Sequence, residues 1–532
     1  VTENSNQIQI NWDDMSFDES CLDFVFDFLF EKEMPMTPFD LAKAIIQEKI
    51  RVYKKEIAKQ EKSQGLLYRP KEKYRIGEEV TFPLLNNLKG KVIEIRQGNN
   101  PDIPIFSVAS FQMEDGSVRQ FVSEYEDHSL NTFDYSSLYS STLTDPIAVY
   151  KKYGKKIAAK IQKLLSQNGS LISIANYWFP KALLIDINPG YLNLAEAVLE
   201  MEEGKPVHTK KILELIEYPV DSNDQLTEFS FNYALHSDDR FDEVGPIGTV
   251  LWTLKLLEPE DVRKVPLTLK CYDDFHIENH GSPSYSFDQL RIHDELDTTS
   301  NDAPEDDIDY FDVCINYPHW KAGTIPLIKK IHSIFPTALE TDRVIFNFID
   351  AKTKESFPGW VIIPEKYVCG LKTWYRENSV IPGSIIRISK TEKIDEVIVS
   401  LIPPRASRDW IRTALFDQKG RIYFETKHQS ISTKFDERMC IFIENSPQLD
   451  IVWEQNNKNG INLQRLIGNI FKDLSRSNPQ GIVHFQEIYA GLNMMHRCPP
   501  QPLLDILMND DQFVALDDLN FKLNVKAAED EA

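Results

Sequence analysis

A pattern that occurs twice constrains this chain more than any other feature. The first copy reads Gly204-Lys205-Pro206-Val207-His208, then a helical stretch, then Leu235-His236-Ser237-Asp238-Asp239-Arg240-Phe241. The second reads Gly481-Ile482-Val483-His484, a helical stretch, then Leu507-Met508-Asn509-Asp510-Asp511-Gln512-Phe513. The separations from His to Phe are 33 and 29 residues. Two copies of one supersecondary unit point to a modular recognition protein rather than an enzyme built around a single cleft.

Local signals divide each copy in the same way. In the first, Leu194, Ala195, Val198 and Leu199 have helical spacing, and Gly204 is placed to end that helix. His208 or Thr209 opens a second helix with Ile212, Leu213 and Ile216 inward. Asn223 or Asp224 caps a third, with Leu226, Phe229, Tyr233 and Ala234 along one stripe. Arg240 to Val244 and Thr249 to Leu254 then alternate as two strands around Gly245-Pro246-Ile247-Gly248. Three helices and a β-hairpin make a winged helix. In the second copy, Leu463, Leu466, Ile467, Ile470, Phe471 and Leu474 mark the first helix. Gly481 and His484 start the second, and Pro499-Pro500 precedes a third carrying Leu503, Leu504 and Leu507. Phe513 to Leu516 and Phe521 to Leu523 flank a short wing.

The first copy resembles a known family. Leu192-x-x-Ala195-Glu196-x-Val198-Leu199, Gly204-Lys205-Pro206-Val207-His208-Thr209-Lys210-Lys211-Ile212 and Asp238-Asp239-Arg240-Phe241-Asp242-Glu243-Val244-Gly245 through Trp252-Thr253-Leu254 look like the HARE-HTH winged-helix module. That module occurs in the delta subunit of bacterial RNA polymerase, in Asx-like chromatin proteins and in restriction-associated proteins. The likeness covers about residues 190–256, roughly an eighth of the chain, and the wing departs by an extra residue or two between its glycines. It implies a nucleic-acid-associated setting.

The rest of the chain reads as further modules, and 532 residues leave room for about three to five domains. Residues 1–20 form an acidic tail, and 21–70 hold N-terminal helices. There the apolar run Cys21 to Phe30 forms a buried helix, and Thr37 with Pro38 opens a long, lysine-rich one. Residues 71–123 alternate as short strands with Gly or Asp-Gly turns and resemble small SH3-like barrels of Tudor, KOW and CarD type. A polar linker follows over 124–147, and then a helical and winged-helix domain over 148–260. Asp294 to Asp312 carries nine acids and no Lys or Arg, so 292–312 reads as an acidic, solvated linker. Residues 313–450 form a second β-rich domain that resembles pseudobarrel DNA-binding domains such as B3, and 455–525 the C-terminal winged-helix unit. The expected fold is therefore α+β and multi-domain.

Charge and motifs narrow the function. The net charge of -23 opposes non-specific attraction to phosphates, so any nucleic-acid contact must be local. Two basic helices qualify: one with Lys54 and Lys55, and one with Lys151, Lys152, Lys155, Lys156, Lys160 and Lys163. Arg405, Arg408 and Arg412 beside Trp410 could grip a backbone and stack a base. A DNA-reading third helix needs Arg, Lys, Asn or Gln for bases and cations for phosphates. Neither third helix has a Lys or Arg, and acids stand there instead. Asp224, Glu228, Asn232 and Asp242 in the first copy, with Asp505 and Asp510 in the second, are accordingly expected to bind a basic protein partner.

No P-loop, GxGxxG turn, GxSxG elbow or HExxH motif occurs, and neither cofactor nor metal is expected. The nearest to a metal cluster is Cys271 to His280. Six scattered cysteines without a CxxC pair suit a reducing compartment, and the absence of an 18-residue apolar run suits a cytoplasmic protein. The expected function is a non-enzymatic adaptor of the transcription or nucleic-acid machinery that docks on RNA polymerase or a sigma-like factor. The alternative is an accessory subunit of a bacterial antiviral defence or restriction system.

Overall fold

The computed structural model describes residues 10–13, 19–63, 66–85, 87–100, 105–133, 145–219, 223–271, 287–297, 308–338, 340–403, 408–418, 421–459, 462–476, 478 and 480–524. The fold is α+β, with helices and several separate sheets. The chain divides into two compact units, Val1–Ile185 and Asp186–Ala532. This division corrects the expected 148–260 domain, because the basic helix belongs to the first unit and the first repeated copy to the second.

In the first unit, α1 (Glu19–Lys32) buries one stripe, Cys21, Val25 and Leu29, and leaves Phe30 exposed. Spacing by four makes this helix amphipathic rather than buried all round. α2 (Pro38–Ser63) starts as expected: the Thr37 hydroxyl accepts from Asp40 N at 3.2 Å and donates to the Asp40 carboxylate at 2.7 Å. Five strands follow in sequence order, β1 (Leu66–Leu67), β2 (Glu79–Phe82), β3 (Leu88–Gln97), β4 (Ser107–Met113) and β5 (Val118–Ser123). Only β1–β2 is parallel, and the rest form an antiparallel meander.

Aromatic rings fill that sheet's core, with Phe82 4.5 Å from Phe121 and 5.0 Å from Phe111. Part of the expected 124–147 linker is instead folded against the sheet. Asn131 Nδ2 donates to Tyr125 O and Glu126 O, and Asn131 Oδ1 accepts from Lys71 N. Residues 134–144 lie outside the described residues. α3 (Pro146–Ser166) is capped by Asp145, whose carboxylate accepts from Ile147 N and Ala148 N. A hairpin, β6 (Leu171–Ile174) and β7 (Tyr177–Pro180), closes the unit through Ala175 and Asn176, both at positive φ.

In the second unit the two repeated copies share one topology. The first runs α4 (Pro189–Met201), β8 (Val207–His208), α5 (Thr209–Leu215), α6 (Asp224–His236), β9 (Phe241–Glu243) and β10 (Leu251–Leu254), with sheet order β8-β10-β9.

Between the copies lies a seven-stranded sheet. Its elements are β11 (Tyr310–Cys314), α7 (Tyr317–Ala322), β12 (Thr324–Pro326), β13 (Arg343–Asp350), β14 (Ser356–Ile362), β15 (Tyr367–Cys369), α8 (Lys372–Glu377), β16 (Ile385–Lys390) and β17 (Glu396–Leu401). The order is β11-β16-β17-β13-β14-β15-β12, antiparallel except for β13–β17. Its core includes Val313, Phe346, Phe348, Tyr375 and Val399. A smaller sheet of β18 (Arg408–Phe416), β19 (Ile422–Ser430) and β20 (Phe442–Ile443) precedes α9 (Ser446–Asn459).

The second copy runs α10 (Leu463–Arg476), β21 (Ile482–His484), α11 (Phe485–Asn493), α12 (Pro500–Asn509), β22 (Phe513–Ala515) and β23 (Asn520–Leu523). Its sheet order, β21-β23-β22, reproduces that of the first copy. Gly204 and Gly481, at corresponding positions, both have positive φ (83° and 64°), a backbone state glycine adopts without a Cβ penalty.

Candidate interaction surfaces

Each third helix buries several of its residues, and of the acids expected on them Asp224 is exposed while Glu228 and Asp505 are partly so. On α6, Thr227, Phe229, Ser230, Phe231, Asn232 and Leu235 are buried. Asp224 is exposed in the first turn, while Glu228 is half-buried with Lys210 Nζ 3.9 Å away. Burial raises the Glu228 pKa against the pull of Lys210. Asn232 has an internal role: its side-chain oxygen accepts from Thr209 Oγ1 at 2.6 Å and from Trp252 Nε1 at 2.9 Å. It ties the third helix to the second and to β10, and its assignment as a partner contact is corrected. We expect Asn232→Ala to strand two buried donors and cost about 2–4 kcal/mol, read as a lower urea midpoint followed by far-ultraviolet circular dichroism.

α12 is packed in a similar way. Leu503, Leu504 and Leu507 are buried, as is every residue of α11 except Glu487. Asp505 accepts from Gln501 Nε2 at 2.9 Å, and Asp510 from Gln512 N at 2.9 Å. Both carboxylates accept from neighbours in their own chain, and both are partly exposed.

The wing of the first copy is docked. Ile345 N donates to Val244 O, and Ile247 N to Thr337 O, both at 2.9 Å, so the wing runs along the start of β13. Arg343 reaches Asp242 at 3.3 Å and the buried Glu258 at 2.8 Å. The turn needs glycine at 245, since a Cβ there would sit 2.0 Å from Thr249 O. Asp242 therefore has a cation from its own chain, which corrects its assignment to a partner. The longer wing loop that set this copy apart supplies the docked residues.

The basic residues divide into available and committed groups. On α3, Lys151, Lys152, Lys155, Lys156 and Lys163 are exposed, while Ile157, Ile161 and Leu165 face inward and α2 packs alongside. Lys156 meets Asp13 at 3.4 Å, with both side chains more than half exposed, and Lys160 is partly buried. Lys54 and Lys55 are exposed on α2. Arg405 lies outside the described residues. Arg408 begins β18 rather than standing in a loop, and Trp410 two residues on is 68% exposed, its ring 5.4 Å from that of His428. Arg412 is committed: it pairs with Glu487 at the start of α11 and donates to Arg438 O at 3.2 Å. Its assignment to nucleic acid is corrected.

The acidic linker is also corrected in part. Asp294 and Glu295 are buried beside an equally buried Arg497. Arg497 donates to Asp294 Oδ2 at 2.8 Å and to Glu295 Oε1 at 2.9 Å, and the Tyr489 hydroxyl donates to Asp294. His319 Nε2 lies 2.6 Å from Glu295, and its Nδ1 lies 2.8 Å from Thr324 Oγ1. The cluster ties residues 294–295 to α7, to Tyr489 of α11 and to Arg497 beyond that helix. Downstream, Asp312 is on β11 and pairs with Arg387. Residues 298–307 are outside the described residues, as are 272–280 of the Cys271–His280 segment. Among the described residues, no group of three or more His, Cys, Asp or Glu side chains could hold a metal ion, and no helix is long and apolar enough to cross a membrane.

Compared with family models, with curated proteins and with solved structures, the chain matches none.

Proposed function

We propose that this chain is a non-enzymatic adaptor of the transcription or nucleic-acid machinery, built from two winged helices, an SH3-like module and a larger β-rich domain. Its nucleic-acid contact is the lysine face of α3, made to phosphates without base reading. Its acidic second unit docks on a basic protein, such as a polymerase or sigma-like factor.

One observation carries the reading. α3 has six lysines and no acid, in a chain of net charge -23, and five of the six are exposed. The pairs Lys151/Lys155, Lys152/Lys156 and Lys156/Lys160 stand four apart, where like charges repel on a helix. The inward stripe of α3 folds the unit without them, and beyond the Lys156–Asp13 pair an anionic partner would relieve this repulsion. The winged helices act mainly as packing scaffolds here, because each third helix buries several of its residues and one wing is docked on its own chain.

The test is retention of duplex DNA across a salt series. Lys151→Glu/Lys155→Glu/Lys156→Glu is expected to flatten the slope of log K against log salt by about 3, near 0.9 for each phosphate that is no longer neutralised. An unchanged slope would leave these lysines as a solvated face. A pull-down with and without nuclease tests the protein arm, which predicts recovery of polymerase subunits in both.

A further inference from the structure

We infer that a cavity of about 870 Å³ in the second unit is a receptor for the cationic side chain of a basic protein segment. It opens beside β13, β14 and α8, with the short helix Glu260–Arg263 on another side. Its volume lies within the range of sites that hold a small organic group. The inference rests on the proposed docking of the acidic unit to a basic partner, and it assigns that docking a site.

The lining combines the two features that recognise an organic cation. Phe357, partly exposed, supplies an aromatic ring face of the kind that attracts an ammonium or guanidinium, while Trp360 and Trp374, 4% and 5% exposed, contribute little surface to the lining. Asp261, Glu355 and Glu377 supply carboxylates, and Lys352 is the one cation in the described lining.

A fourth carboxylate, Asp350, is fixed inside. The alternation of β13 puts it on the buried face after Val344, Phe346 and Phe348. Trp374 Nε1 donates to its Oδ2 at 2.6 Å, while Lys352 N and Thr353 N donate to Oδ1 at 2.6 and 2.9 Å. Burial works to raise the Asp350 pKa, but the Thr353 N–H, the Trp374 indole and the Lys352 N–H outweigh it and hold the group below its ordinary value. The indole is thus oriented by a buried anion, and Asp261, Glu355 and Glu377 remain to meet a ligand. An anion would face four carboxylates against one lysine, and an apolar group would leave the acids uncompensated.

The test uses a fluorescein-labelled peptide of alternating arginine and glycine, followed by fluorescence polarisation on the full chain. Asp261→Asn/Glu355→Gln/Glu377→Gln is expected to weaken binding by at least about tenfold. Lys352→Gln, which removes the opposing cation, is expected to tighten it. A second triple, Glu200→Gln/Glu203→Gln/Glu214→Gln, changes net charge equally on exposed positions of the first repeated copy and is expected to bind like the parent. Equal losses from both triples would overturn the cavity and leave only general attraction to an acidic protein. Parent-like binding by the first triple would overturn the cavity while leaving the docking reading standing. No binding by the unaltered chain would overturn both.

Discussion

Arg497→Leu is expected to destabilise the second unit by about 3–5 kcal/mol, the range for removing one partner of a buried ion pair. Arg497 is fully buried and faces two equally buried carboxylates, Asp294 and Glu295, so its loss leaves uncompensated charge. The urea midpoint should fall sharply. Arg497→Leu/Asp294→Asn/Glu295→Gln should recover most of the loss, because removing a whole buried ionic set is often close to neutral. A single variant with the parental midpoint would mean that the cluster does not hold the unit together.

The same cluster sets an acid limit. Burial alone would raise the Glu295 pKa, but the Arg497 guanidinium and the His319 ring outweigh it and hold the carboxyl well below the usual range. A carboxyl depressed in the folded state contributes stability that is fully present above its unfolded value. That contribution is lost as pH falls through the folded value. Unfolding should therefore set in progressively below about pH 4, the ordinary Glu range.

The docked wing of the first copy is expected to respond to pH in the opposite sense. Burial, then the neighbouring Asp242 carboxyl, push Glu258 up to about 8 against the pull of Arg343. Burial also raises Glu243 to about 7, although the N–H groups of Gly245 and Leu251 oppose the shift. Between the ordinary Glu value and these values, the folded chain holds protons that the unfolded chain has released. Stability here should fall as pH rises from about 4.5 to about 8 and level off beyond it.

Since one pKa unit corresponds to about 1.4 kcal/mol, the local loss is on the order of a few kcal/mol. Hydrogen exchange at Val244, Ile247 and Ile345, corrected for intrinsic rate, should be at least about tenfold less protected at pH 8 than at pH 5.5. Glu258→Gln, which cannot ionise, should reduce that dependence to the part that Glu243 contributes. Equal protection at both pH values in the parent chain would mean that neither carboxyl is perturbed.

The repeated copies were legible because their signals are local. Gly204 and Gly481 mark the same left-handed turn, and His208 and His484 open the second helices. The 3.6-residue stripe of α10 and the two-residue alternation of β13 can be read from neighbours alone. Short strands were harder: β12 and β15 have three residues each, and β12 is defined by its pairing with β15, which itself pairs with β14. β11 was hidden by Asp309 just before it and Asp312 within it, which read as part of a charged run until Arg387 is placed beside Asp312. The β6–β7 hairpin turns on Ala175 and Asn176, without the Asn-Gly or Asp-Gly pair that announces such a turn.

By itself, the sequence determined the two repeated units, their caps and turns, and the concentration of lysine on α3, all of which follow from residues a few positions apart. Only the tertiary structure decided which charges are free. Asp294 and Glu295 meet Arg497 across some two hundred residues, Asp242 meets Arg343 across about one hundred, and Arg412 meets Glu487 across 75. A charge is an available surface or an internal tie according to what lies within a few ångströms of it, and for these residues that neighbour comes from a distant part of the chain.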